Sequence, residues 1–177
     1  MNHTYGPESD LPDLERRLNT IEARIVAGQD DLRELRADED SWSVAEHIFH
    51  LALANELSLK NAAALHSRVG RLIRDPENTH PDAEKVLEAG VIPRGNQAPR
   101  FVAPPKVIDL ELLLELVQGN RTMIRDLEPY GADLIRAPRA IPHQLLGDLS
   151  AVQWVRFARI HTDHHWGIIQ EIAQASK

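Results

Sequence analysis

SAVQWVRFARIHTDHHWGIIQEIAQA, residues 150–175, is the stretch that decides how this chain is read. Ser150 and Gln153 stand three apart ahead of an apolar run, the pattern of a capping box at a helix start. At about 100° per residue, Trp154, Phe157, Ala158, His161, His165, Ile168 and Ile172 fall within about 60° of one line. The stretch therefore reads as an amphipathic helix to about Ala175, with two imidazoles in the middle of its apolar stripe. His164 lies near the stripe's edge, so the wheel prefers His165 and leaves His164 open. A buried imidazole whose nitrogens lack partners costs on the order of a few kcal/mol. A metal ion removes that cost, and histidines at i and i+4 suit a shared first-row cation.

Working outward, three more helices emerge. Leu14, Leu18, Ile21 and Ile25 recur at helical spacing from Leu11 to about Ala27, and Gly28 stops that run. Ser43-Val-Ala-Glu46 is a second capping box, opening a helix to about Val69 that is apolar on nearly all sides and so belongs in the centre of the fold. Asp109 caps a helix carrying Leu110, Leu113, Leu114, Val117, Ile124 and Leu127 on one stripe, ended by Pro129 and Gly131. Residues 70–107 are punctuated by Pro and Gly and read as a long loop with a short helix near Asp82 to Glu88, and Ala137 to Leu149 reads as a loop. Four apolar stripes without a strand pattern predict an all-α, antiparallel four-helix bundle.

The 177 residues suit one domain spanning 1–177. With 42% hydrophobic and 27% charged residues the chain is a folded globular protein. No apolar run approaches the ~20 residues of a membrane span, and Met1 to Asp10 is polar, so no membrane partner and a cytoplasmic location are expected. The net charge of -7, with scattered Arg residues, offers no footprint for nucleic acid. Cysteine is absent, so any metal site must be built from His, Asp or Glu. His3, His66, His80 and His143 lack any such placement on an apolar stripe and read as surface or loop residues.

The third ligand of a shared ion must come from another helix. His50 on the second helix is the best candidate, with Glu46 one turn earlier, and His47 competes; the wheel leaves that choice open. Three histidines and an open position describe a catalytic site, because closed structural sites normally use four protein ligands.

The segments Trp42-Ser43-Val44-Ala45-Glu46-His47-Ile48-Phe49-His50-Leu51 and Leu146-Gly147-Asp148-Leu149-Ser150, with Phe157 to His165, resemble the DinB/YfiT-like superfamily over nearly the whole chain. In that family a Trp-Ser pair opens the second helix and a ligand His lies eight residues after the Trp, which here is His50. A Leu-Gly turn precedes the last helix, whose His-x3-His pair maps to His161 and His165. The resemblance thus selects His50 over His47 and His165 over His164. It also implies an up-down-down-up bundle, a homodimer, and chemistry such as S-transfer with low-molecular-weight thiols of the bacillithiol or mycothiol kind. One departure is visible: members often continue the second His as Arg-Gly-Gln, whereas this chain has Trp166-Gly167-Ile168.

The expected function is a divalent-metal-dependent transferase or hydrolase acting on a small electrophilic molecule, with zinc, nickel, iron or manganese as the ion. The alternative is a stress-associated protein of the same fold that binds metal or a small molecule without turnover. Glu46 and Asp163 are the candidate proton-relay or imidazole-orienting carboxylates, although Glu46 is equally the capping partner of Ser43. Arg94, Arg100 and Lys106 could close over the site and hold an anionic group, with a solvated linker as the plainer reading of that loop. Trp42 and Trp154 read as core aromatics.

Overall fold

The computed structural model describes residues 4–28, 31–38, 41–77, 80, 82–95 and 97–175. Four long helices dominate the described residues: α1 (Pro7–Ala27), α2 (Val44–Ser67), α4 (Leu110–Leu127) and α6 (Ala151–Ala175). Short helices α3 (Ala83–Ala89) and α5 (Gly131–Arg136) lie between them. The chain is all-α in class, with one two-stranded hairpin among the described residues.

The helix starts follow their caps. Ser43 Oγ accepts from Glu46 N while Glu46 Oε2 accepts from Ser43 N, and Ser150 and Gln153 make the same reciprocal pair ahead of α6. Asp109 accepts from the amides of Glu111 and Leu112 at the start of α4. Each satisfies helix-start amides that would otherwise lack partners. α1 starts earlier than the periodicity predicts: Gly6 O accepts from Ser9 N and Asp10 N, closing a first turn with Pro7 at its head, where a missing N–H costs nothing.

The core is a single cluster fed by all four long helices. α1 gives Leu14, Leu18 and Ile21, α2 gives Ile48, Leu51 and Leu59, α4 gives Leu113, Val117 and Ile124, and α6 gives Val155, Ala158 and Ile169. Each fully buried Leu or Ile contributes about 1.5–3 kcal/mol relative to exposure. α1 and α2 each pack against both α4 and α6. Polar pairs across the seams give the directions. Asp10 and Arg17 of α1 meet Arg156 and Asp163 of α6, so these two helices rise together. Glu15 and Glu22 meet Arg125 and Gln118, so α4 runs against α1. His47 and His50 meet His165 and His161, so α2 runs against α6.

Three parts differ from the sequence reading. The expected loop 137–149 contains a hairpin, β1 (Ile141–His143) paired antiparallel with β2 (Gly147–Leu149), Gly147 taking a φ of 73°. A positive φ there is easy only for a residue without Cβ. Its anchor is long-range: Arg74 Nε lies 2.8 Å from the buried Asp148 carboxylate, and the backbones of Arg74 and Ala140 bond to each other in both directions. Pro129 and Gly131 do not end the helical path, which continues through a 3-10 turn (Glu128–Tyr130) into α5, where Leu134 is buried. The long loop carries α3 where a short helix was expected, and in addition an unforeseen 3-10 turn at Arg100–Val102.

Candidate metal centre

Two features fix the histidines of α2 opposite those of α6. The first is the antiparallel pairing of the helices. The second is a buried reciprocal contact one turn from the imidazoles, in which Asn55 Nδ2 donates to Thr162 Oγ1 at 2.8 Å and the Thr162 hydroxyl donates to Asn55 Oδ1 at 3.0 Å.

His50, His161 and His165 converge between α2 and α6. Each offers one ring nitrogen, all within 4.8 Å of one another, and each is at most 8% exposed. His50 Nε2 and His161 Nε2 are 3.2 Å apart. With metal–nitrogen bonds of about 2.0–2.1 Å, two nitrogens on one tetrahedral ion stand roughly 3.4 Å apart, so this spacing fits a shared ion. His50 Nδ1 lies 2.9 Å from the Val102 carbonyl oxygen and must donate to it. The proton of a neutral ring is then on Nδ1, leaving Nε2 a free lone pair aimed at His161. With His161 Nε2–H donating to that lone pair, the buried Nδ1 of His161 has no hydrogen-bond partner. Ion binding requires the His161 proton to sit on Nδ1 instead.

The electrostatics favour neutral rings. Burial lowers the pKa of His50 against the opposing pull of the Val102 bond, lowers that of His165 with the neighbouring imidazoles adding to it, and takes that of His161 well below the ordinary range. Neutral imidazole is the form that ligates. The donor set, all nitrogen, buried and unprotonated, therefore fits a divalent ion.

His47 does not join the three. Its Nδ1 meets His165 Nδ1 at 3.0 Å, and burial lowers its pKa to about 4. Trp42 packs against the group, its ring centroid 5.0 Å from that of His50 and 5.5 Å from that of His47. His164 lies beside the site, bordering the same cavity, its ring centroid 5.1 Å from that of His165.

The expected carboxylates lie elsewhere. Glu46 is occupied by the Ser43 cap, with Arg36 3.9 Å away, because a helix-start amide competes for it at close range. Asp163 is held by Arg17 and Arg159 at 2.9 and 2.6 Å on the α1 side of α6. Neither borders the cavity described next.

A cavity of about 1060 Å³ opens against the histidines. Its walls include Trp42, Val86, Phe101, Trp154, Phe157 and Ile168. Ile92 to Arg94 and Pro99, Phe101 and Val102 border it from the loop between α3 and α4, so that loop covers the site. Arg94 borders the cavity but is exposed and engaged by Glu171 at 2.9 and 2.6 Å. Arg100 is exposed and does not border it, and Lys106 is also exposed.

His143 is the residue that sequence reasoning missed. It lies on β1 and borders the cavity, its ring 4.4 Å from Phe157 and 5.3 Å from Trp154, and burial lowers its pKa to about 4. Its Nδ1 accepts from the amides of Leu145 and Leu146, so its proton is held on Nε2. No local signal marks it, since its context is made by the hairpin folding onto α6. His80 is exposed, as expected, whereas His66 is half-buried on α2 against Tyr130, and His3 lies outside the described residues.

The sequence profile of the DinB superfamily matches residues 13–169, and the chain belongs to that superfamily. No curated protein and no solved structure matches it. Among the described residues no helix is long and apolar enough to cross a membrane.

Proposed function

We propose that this chain is a divalent-metal-dependent enzyme of the DinB superfamily, with His50, His161 and His165 as ligands, acting on a small electrophilic molecule in the cavity beside them. One observation carries the reading: three buried imidazoles from two helices offer nitrogens within 4.8 Å, beside an open cavity. A bound divalent ion would supply Lewis acidity, lowering the pKa of water toward about 7 or stabilising a thiolate. The chain's own residues bind and orient. His50 is aimed by Val102, the aromatic walls exclude water, and His143 holds an N–H donor in the wall.

Among the described residues that border the cavity, the charged side chains Arg94 and Asp82 are already paired, with Glu171 and Lys85. An uncharged, largely apolar electrophile suits such walls best. The preferred reaction is S-transfer, in which a thiol loses its proton, its sulfur bonds to an electrophilic carbon, and the leaving group departs with its electron pair. Hydrolysis, with water in the thiol's place, is the second form. The wider reading is one domain with the four long helices in up-down-down-up order, working as a cytoplasmic homodimer with zinc, nickel, iron or manganese.

Untagged protein, purified and supplemented with each ion, should carry close to one equivalent. Less than a tenth of an equivalent for every ion overturns the reading. Loaded protein should then accelerate loss of monochlorobimane in the presence of a low-molecular-weight thiol. Full metal content without turnover against a panel of thiols and esters would leave a binding protein in place of an enzyme.

A further inference from the structure

We propose that His47 positions His165 for metal binding by accepting a hydrogen bond from its Nδ1–H, so that His47 acts through a ligand without being one. The inference rests on the three-histidine reading above. It starts from the 3.0 Å contact between His47 Nδ1 and His165 Nδ1. Two nitrogens so close must share one proton, and a neutral ring carries a proton on only one nitrogen. If His47 donates, His165 holds its proton on Nε2 and has no lone pair left for an ion. If His165 donates, its Nε2 is free. The second arrangement alone is compatible with ligation.

Both rings are 8% exposed, and His47 packs edge-on against Trp42. His50 is treated in the same way, with Val102 O in the acceptor's role, whereas His161 has no acceptor at Nδ1. Of the two aimed ligands, His165 is the one whose acceptor is a side chain. Orienting partners of this kind change metal affinity by about 10- to 100-fold. Here both acceptors are uncharged, so neither offsets the charge of an ion.

The test titrates zinc into the metal-free full-length chain, comparing the parent with His47→Phe and His47→Gln. Phe keeps an aromatic ring without an acceptor, and Gln restores an acceptor oxygen. Zinc affinity should fall about 10- to 100-fold in His47→Phe and recover most of the way in His47→Gln, with metal-free melting temperatures unchanged within a few degrees. In zinc-loaded parent protein, ¹⁵N NMR should place the His165 proton on Nδ1. Parent-like affinity in His47→Phe, or a His165 proton on Nε2, overturns the assignment while leaving the three-histidine centre standing. A parent that takes up no zinc or other divalent ion overturns the centre itself.

Discussion

Asn55 and Thr162 face each other across the α2–α6 seam and exchange hydrogen bonds at 2.8 and 3.0 Å, both completely buried. This is the polar contact that sets the register of the two helices bearing the metal candidates. Thr162→Val strands the Asn55 amide and should cost about 1–3 kcal/mol in urea unfolding. Asn55→Leu should cost a similar amount. The double variant should lose less than the sum, because the partner each single change strands is itself removed. Strict additivity would mean that the two residues act independently.

His161→Ala should abolish stoichiometric metal uptake while far-UV circular dichroism keeps the parent's helical signal. His66→Ala, on the same bundle but against Tyr130, should change neither. Equal metal content in parent and His161→Ala protein would disprove the ligand assignment.

Acid should destabilise the metal-free protein earlier than it protonates ordinary carboxylates. His47 and His143 have folded pKa values pushed down to about 4 by burial, against 6.5 unfolded. Between those values the unfolded chain binds protons that the folded chain refuses. Stability is therefore greatest above pH 6.5 and falls as pH drops toward 4, by up to about 1.4 kcal/mol per pH unit for each such histidine. Urea midpoints at pH 7 and pH 5 measure this, and a flat profile would contradict it. The same burial predicts that metal uptake persists below pH 6.5, where exposed histidines would be protonated.

Asp10 is 1% exposed, with its carboxylate 2.9 Å from Arg156 and 3.2 Å from Arg159. Asp10→Ala leaves two half-buried guanidiniums without their anion and should cost about 3–5 kcal/mol. Asp10→Asn keeps an acceptor and should cost less. Denaturation curves of the two variants give the comparison, and equal losses would argue against the charge as the cause.

Much of the fold was legible because it is written locally. The stripes of α1, α2, α4 and α6 and the caps at Ser43, Asp109 and Ser150 lie within a few residues of one another. The hairpin was not, since three-residue strands have no usable periodicity and theirs is held by Arg74 and Asp148, seventy-four positions apart. α5 was hidden because Pro129 and Gly131 read as stops, yet proline is tolerated in the first turn of a helical segment. At the site, the four-residue spacing of His161 and His165 marked one face of α6. Choosing between His47 and His50 depends on the register against another helix, which no wheel contains. Glu46 and Asp163 were drawn elsewhere by a helix-start amide and by two arginines, competitors that spacing alone does not reveal.

The carbonyl of Val102 belongs at once to the wall that encloses a guest and to the frame that aims His50. If the chain works as proposed, occupancy of the chamber and grip on the ion would be one thermodynamic account. A guest that pressed this strap home would strengthen the hold on the ion, and the ion, by reciprocity, would strengthen the hold on the guest by the same factor. On that reading, peeling the strap back to release a guest would loosen one of the three proposed ligands, so each departure would also be a moment at which the ion could be exchanged.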